Sequence, residues 1–230
     1  MLLRNWQDLP DNMKVSEVKP YYEILKKKQV SLFLKRAFDV IFAAILLTLL
    51  LLPFIVIAIC IKCDTKGPVF YRQERVTQYG KIFRIHKFRT MVDHADQIGS
   101  QVTVCSDARI TKIGHKLRHL RIDEWPQLID VLQGTMSFVG TRPEVVKYVN
   151  RYEPEYMATL LLPAGITSKA SVCFKDEERL LSNKDDVDQE YIEKVLPVKM
   201  KYNLTDIREF SLLNEVKVMF STVSAVLAKD

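Results

Sequence analysis

Val40–Ile61 reads VIFAAILLTLLLLPFIVIAICI and carries no charge. Only Thr48 and Pro53 interrupt it. About 20 apolar residues cross a bilayer as a helix, so its length is that of a single span. Two features point elsewhere. Pro53 lies inside the run, where proline removes a hydrogen bond and kinks a helix. Cations also flank both ends, with Lys35 and Arg36 before the run and Lys62, Lys66, Arg72 and Arg75 after it. Positive flanks favour the cytoplasmic side, and here that rule places both ends there. A helix broken at Pro53 that returns to its own face satisfies both features. A straight span satisfies the length alone. From these residues by themselves both readings stay open.

Immediately downstream, Thr65–Met91 reads TKGPVFYRQERVTQYGKIFRIHKFRTM. Gly67-Pro68 is a turn signal. Val69–Tyr71 suits a short strand, and Gln78–Lys81 suits a hairpin turn into a second strand, Ile82–Phe88. Period two would put Ile82, Arg84, His86 and Phe88 on one face. These residues alone describe an amphipathic hairpin with a cationic surface.

Further on, Arg118–Pro143 reads RHLRIDEWPQLIDVLQGTMSFVGTRP. Asp123 and Glu124 are adjacent, with Arg118 and Arg121 upstream and Arg142 downstream. Pro126 marks a helix start, which places Asp123 at or just before the positive end of that helix. Gly134 would end it, and Ser137–Gly140 would lead into a Thr141-Arg142-Pro143 turn. Arginine forks hold phosphate oxygens. A carboxylate can attack phosphorus or hold a divalent cation. The acid pair alone is more often the mark of a capped helix with surface ion pairs.

The rest of the chain is plainer. Residues 1–34 look like an extension, helical near Tyr21–Leu25, whose Lys26-Lys27-Lys28 run touches lipid headgroups or water. A helix is expected over Glu144–Leu162 and another over Asp188–Leu204, with a charged surface stretch from Asp176 to Val187. In Thr205–Leu227, residues Ile207, Phe210, Leu213, Val216, Met219, Phe220 and Val223 share a broad apolar face. Core or interface packing is the favoured reading of that face, ahead of a membrane surface. His94 and Asp96 lack a third ligand at metal spacing, and His86, His115 and His119 read as core or surface residues. Cys60-x-x-Cys63 overlaps the end of the apolar run with no second pair at zinc spacing. It reads as buried or interfacial thiols in a reducing compartment. No cleavable signal peptide is expected, because the N-terminus is polar and the apolar run starts too far in. Of the 230 residues 48% are hydrophobic and the net charge is +6, with a pI near 9.0. Such a balance suits an anionic partner: nucleic acid, an acidic membrane surface or a nucleotide.

Taken together, the motifs resemble those of bacterial sugar transferases, the monotopic phosphoglycosyl transferases. Their pattern R-x-x-x-x-D-E-x-P-Q-L-x-x-V-L-x-G-[DE]-M-S-x-V-G-P-R-P is met by Arg118, Asp123, Glu124, Pro126–Leu128, Val131, Leu132, Gly134, Met136, Ser137, Val139, Gly140, Arg142 and Pro143. Thr135 replaces the usual acid and Thr141 the usual proline. Lys35, Arg36 and Asp39 match the Lys-Arg-x-x-Asp that precedes the membrane helix. Pro53 matches the break, with Leu52 in place of serine, which leaves the freed carbonyl to Thr48, to other protein or to water. Gly67, Pro68, Gln73, Arg75, Gly80, Lys81, Phe83 and Lys87–Met91 match the hairpin pattern, with Thr77 in place of a glycine. Arg109–Gly114 resembles R-[IV]-T-x-x-G, and Leu162–Ser168 more loosely resembles R-P-G-I-T-G, a stretch that would shape the nucleotide-sugar pocket.

The resemblance implies an α+β fold, mostly helical with a short β-hairpin. It implies an extension at 1–34, a re-entrant helix at 35–63 broken at Pro53, and a catalytic domain at 64–230 with a C-terminal amphipathic helix. It implies transfer of a sugar 1-phosphate from a UDP-sugar to undecaprenyl phosphate on the cytoplasmic face of the inner membrane, with release of UMP. Asp123 would be the nucleophile and Glu124 a ligand for Mg²⁺. Lys87, Arg89, Arg118 and Arg142 would hold phosphate. Nucleic acid is not among the implied partners. The competing classes are an anionic-lipid-binding protein or an inactive scaffold, neither of which turns over, and a lipid-phosphate phosphatase, which would release inorganic phosphate without a sugar nucleotide.

Overall fold

The computed structural model describes residues 3–93, 95, 107–174 and 187–228. His94, Asp96, Cys105 and most of the charged stretch from Asp176 lie outside them. The chain opens with α1 (Lys19–Lys26), α2 (Gln29–Leu49) and α3 (Leu51–Asp64), followed by a hairpin of β1 (Phe70–Val76) and β2 (Ile82–Phe88). Next come α4 (Lys112–His119), α5 (Gln127–Gln133), β3 (Met136–Val139), α6 (Val146–Val149), β4 (Ala164–Thr167) and α7 (Lys169–Cys173). The described chain closes with α8 (Val187–Glu190), a π turn at Tyr191–Val195, α9 (Leu196–Arg208) and α10 (Leu212–Leu227).

The apolar run is divided between α2 and α3, which are bent by 61°. Among the described residues no single helix is long and apolar enough to cross a membrane. The break falls at Leu50 (φ −88°, ψ 1°), three residues before the expected Pro53. A proline ring clashes with the carbonyl four residues back, here that of Leu49, the last residue of α2. Pro53 itself occupies the first turn of α3, where a missing N–H costs little. Thr48 does not serve the freed carbonyl. Its hydroxyl donates to Ala44 O at 2.9 Å, a back-bond that itself favours bending. Phe33, Ile41, Ile45, Leu49, Leu52 and Ile59 leave 50% or more of their surface open. Cys60 and Cys63 are free and exposed on the same bent pair rather than buried.

The opposite side of α2 is fastened by charge. Buried Asp39 accepts from Ser137 Oγ at 2.8 Å and Phe138 N at 3.3 Å. Lys35 donates to Val139 O at 2.9 Å and pairs with Glu215. Arg36 donates to Val131 O and Leu132 O at 2.6 and 3.1 Å, satisfying end carbonyls of α5. Buried charges are tolerated only when paired in this way. The Lys-Arg-x-x-Asp stretch therefore fixes the bent pair to β3 and α5.

β2 forms over the expected residues, and β1 runs longer than Val69–Tyr71, pairing antiparallel from Phe70↔Phe88 to Val76↔Ile82. The tight turn comes from left-handed Tyr79 (φ 59°) and Gly80 (φ 72°). Thr77, in place of the usual glycine, keeps an extended backbone. Its hydroxyl donates to Thr135 O at 2.6 Å and accepts from Ala164 N at 3.1 Å, joining the hairpin to β3 and β4. Exposure alternates along β2 only as far as Ile85, and His86 to Phe88 are covered on both faces.

A second sheet was not expected. β3 pairs parallel with β4, Met136 opposite Ala164 and Val139 opposite Thr167. A Cβ on Gly165 would lie 2.2 Å from Gly140 N, so this approach requires glycine. The helix expected over Glu144–Leu162 is broken into α6 and a 3-10 run at Pro154–Leu161. Glu153 is extended (ψ 155°), as the residue before a proline prefers.

The broad face expected over Thr205–Leu227 is also divided. Ile207 and Phe210 are buried, while Leu213, Val216, Phe220 and Val223 are exposed. Ser211 caps a new helix by accepting from Asn214 N, which resets the helical phase after Phe210. The N-terminal extension is part of the fold. Met13, Val18, Tyr22 and Leu25 share one core cluster with Leu161 and Ile207. Lys28 of the basic run donates to Phe210 O.

Candidate active site

The acid pair sits on a 3-10 turn, Ile122–Glu124, between α4 and α5. Arg121 enters it in a left-handed conformation (φ 55°), a strain that non-glycine residues adopt mainly where the surroundings enforce it. Pro126 then starts α5 and Gly134 ends it (φ 85°), as expected. Asp123 is therefore held at the positive end of a short helix.

Glu124 is the hub. Lys87 Nζ donates to its Oε1 at 2.9 Å, Arg142 Nη2 to the same oxygen at 2.5 Å, and Arg142 Nη1 to Oε2 at 3.3 Å. Burial pushes the carboxyl up, but Arg142 and Lys87 overcome it and hold Glu124 well below the usual carboxylate range. Lys87 is lowered, by burial first, with Glu124 working against the shift. Asp123 behaves differently. It is 9% exposed, and its Oδ1 has no hydrogen-bond partner among the described residues. Burial, then the charge of Glu124, pushes Asp123 above its ordinary value, against Lys87, Arg118 and Arg121. Two adjacent carboxyls are thus driven apart: one is a clamped anion, the other a poorly solvated oxygen.

The structure brings Asp123, Glu124, Lys87 and Arg142 together, with Arg118 within electrostatic reach of Asp123. It places Arg89 elsewhere. The Arg89 guanidinium donates to Lys66 O at 2.5 Å, Thr65 O at 2.8 Å and Thr65 Oγ1 at 3.0 Å, fastening the link between α3 and β1. β2 ends at Phe88, so the alternation that aims Lys87 does not extend to Arg89. The turn carrying Arg142 is firm without the usual proline. Thr141 O accepts from Gly165 N at 2.9 Å and Pro143 O accepts from Arg75 at 3.1 Å.

Three features escaped the sequence reading. Asp130 accepts from His86 N at 2.9 Å and faces His86 Nδ1 at 2.7 Å, tying β2 to α5 one residue before Lys87. Gln127 is 1% exposed, and its Nε2 has no partner among the described residues. The third is the Gln73–Arg75 pair of β1. Asp123, Gln127 and Asp130 recur at helical spacing, a polar stripe that was a legible signal for the first two.

No group of three or more His, Cys, Asp or Glu side chains that could hold a metal occurs among the described residues. Mg²⁺ asks for less. It commonly takes one or two carboxylates, keeps waters and shares substrate phosphates. The more weakly bonded Glu124 Oε2 fits that demand. A cavity of about 40 Å³ behind β3, lined by Thr141, Lys169, Asn203, Asp206 and Glu215, is far below the roughly 300 Å³ of a small-molecule site. The acid pair and its cations are the better candidate.

Comparison with known proteins bears on this cluster. The model of the family described as bacterial sugar transferase matches residues 30–229. The UDP-N-acetylgalactosamine-undecaprenyl-phosphate N-acetylgalactosaminephosphotransferase of Aeromonas hydrophila is 33% identical over 198 residues, covering 85% of this chain and 44% of that protein. The UDP-glucose:undecaprenyl-phosphate glucose-1-phosphate transferase of Escherichia coli (strain K12) is 36% identical over 199 residues, 84% of this chain and 40% of that protein. A relative of the same name in Caulobacter vibrioides is 34% identical over 202 residues, 85% of this chain and 70% of that protein. The chain thus spans less than half the length of the first two. The three names carry two different sugars.

Proposed function

The chain belongs to the bacterial sugar transferase family, and from that premise we propose that it transfers a sugar 1-phosphate from a UDP-sugar to undecaprenyl phosphate through a covalent aspartyl intermediate. The observation that carries this reading is the unpartnered, buried Asp123 Oδ1 beside a Glu124 clamped by Lys87 and Arg142. A carboxylate oxygen with no hydrogen bond is a competent nucleophile, and cations around it favour an anionic substrate. Neither an inert scaffold nor a lipid-binding surface needs such an oxygen.

In the first step Asp123 Oδ1 forms a bond to the sugar-bearing phosphorus. The bond from that phosphorus to the bridging oxygen breaks, and UMP leaves with the electron pair. In the second step a phosphate oxygen of undecaprenyl phosphate attacks the same phosphorus and expels the Asp123 carboxylate. The product is the undecaprenyl-diphosphate sugar. Lys87 and Arg142 hold phosphate oxygens in both steps, and Arg118, within electrostatic reach of Asp123, adds to that hold. Glu124 would hold Mg²⁺, whose chemistry is to neutralise diphosphate charge.

The reading is tested by the order of events. Enzyme, Mg²⁺ and the right UDP-sugar, without lipid, give one burst of UMP, about one per active site, because the intermediate waits for an acceptor. Sugar label stays on the protein and is chased off by undecaprenyl phosphate. An active enzyme showing neither burst nor bound label would establish direct displacement.

The exposed apolar side of α2 and α3 supports a re-entrant anchor, with α3 returning to the cytoplasmic face of the inner membrane. Single cysteines at exposed Lys27 and Lys66, in a cysteine-free background, then both resist a membrane-impermeant thiol reagent in intact cells. Both label once the membrane is opened. Labelling of one site in intact cells would mean a span.

A further inference from the structure

Lys87 and Arg142 are both hydrogen-bonded to Glu124. Arg75 is a third cation, deeply set on the same face of the hairpin. The register places Tyr71 opposite Lys87, Gln73 opposite Ile85 and Arg75 opposite Phe83, so Gln73, Arg75 and Lys87 point to one side. Arg75 lies within electrostatic reach of both Lys87 and Arg142. Its hydrogen bonds go to neutral oxygens: Nε and Nη2 to Gln73 Oε1 at 3.1 and 2.6 Å, and Nη1 to Pro143 O at 3.1 Å. Glu144 is near, but it accepts its hydrogen bonds from Tyr191 and Lys199. A deeply set guanidinium without a hydrogen-bonded carboxylate is costly. Its fork remains suited to an incoming phosphate.

Position along the strand assigns which phosphate. Lys87 acts directly on the Asp123 carboxyl, whereas Arg75 stands four residues along β1 from the Tyr71–Lys87 pair and is tied to Pro143 O beyond Arg142. In an in-line displacement the attacking and leaving oxygens lie on opposite sides of phosphorus. We propose that Arg75, steadied by Gln73, is a substrate-binding residue that grips the phosphate of the leaving UMP, while Lys87 and Arg142 serve the phosphate attacked by Asp123. This inference rests on the transferase reading and names a part of its site.

The test is product binding without turnover, on the full chain in lipid nanodiscs. UMP and uridine are titrated against wild type, Arg75→Gln, Arg75→Lys and Arg72→Gln, with saturation-transfer NMR as readout. Arg75→Gln weakens UMP about 10-fold or more, the worth of a charged hydrogen bond, and leaves uridine unchanged. Arg75→Lys keeps the charge without the fork and loses less. Arg72 is exposed on the other face and donates to Arg84 O, so Arg72→Gln binds both ligands as wild type does. If Arg75→Gln does not fold, Arg75→Lys carries the test, and UMP binding equal to wild type overturns the proposal. Uridine weakened in step with UMP also overturns it, because the loss is then not at the phosphate. In either case UMP release by wild type keeps the transferase reading. A wild type that neither binds UMP nor releases it from any UDP-sugar overturns both.

Discussion

Asp123→Asn leaves a folded protein whose turnover falls by about 10³-fold or more, the usual cost of removing a covalent nucleophile. The amide keeps the shape and removes the attacking oxygen. Oδ1 has no hydrogen-bond partner among the described residues, so the exchange breaks no contact at that atom and the melting temperature stays near that of wild type. The two readouts must therefore separate. pH supplies a second arm. Burial and Glu124 raise Asp123 above 3.8, and only the carboxylate attacks. The rate of the UMP burst falls as pH drops through that raised value. Near-wild-type activity in Asp123→Asn, or an acid limb at or below 3.8, would remove Asp123 from the covalent role.

The site was more legible than the fold that holds it. Asp123, Pro126 and Gly134 lie within one short segment, and proline and glycine punctuate it by local rules. A single chain of residues could be read there without knowing its neighbours. Arg142 was named from the same segment, but what aims it is distant. The flanking carbonyls of Thr141 and Pro143 are pinned by Gly165 and Arg75, and no local pattern announces such contacts.

Each departure from expectation has a long-range or phase-dependent cause. The family resemblance implies that Arg89 joins Lys87 at phosphate, but β2 ends at Phe88, between them. β3 and β4 are four residues each, too short for a periodic signal, and their pairing joins distant segments. The face expected over Thr205–Leu227 assumed one helix, whereas Ser211 starts a second. The bend preceded Pro53 because proline acts on the carbonyl behind it. Thr77, Thr135 and Thr141, three departures from the family pattern, meet on one side of the site. The Thr77 hydroxyl joins Thr135 O to Ala164 N, and Thr141 O is held by the next residue, Gly165.

Glu124→Gln affects both activity and stability, and this distinguishes it from Asp123→Asn. Glu124 is hydrogen-bonded by both Lys87 and Arg142. Its neutral isostere leaves two covered cations facing each other with Arg75 nearby. Breaking a buried pair by removing one partner costs about 3–5 kcal/mol, and the same change disturbs every cation that would meet the diphosphate. Turnover falls by about 10²-fold or more, as when a group that positions transition-state charge is removed. The folded pKa of Glu124 is well below 4.5, so its stabilisation is fully present above that value and is lost as pH falls through the folded pKa. Wild type therefore melts at a higher temperature than Glu124→Gln at neutral pH, and the gap closes in acid. A second change, Lys87→Met, removes one stranded cation and restores part of the stability of Glu124→Gln while leaving it inactive. Equal melting of wild type and Glu124→Gln at neutral pH would show that the pair contributes nothing net. Stability restored together with activity in the double variant would show that the charge balance matters more than the carboxylate, and Glu124 would lose its role at the metal.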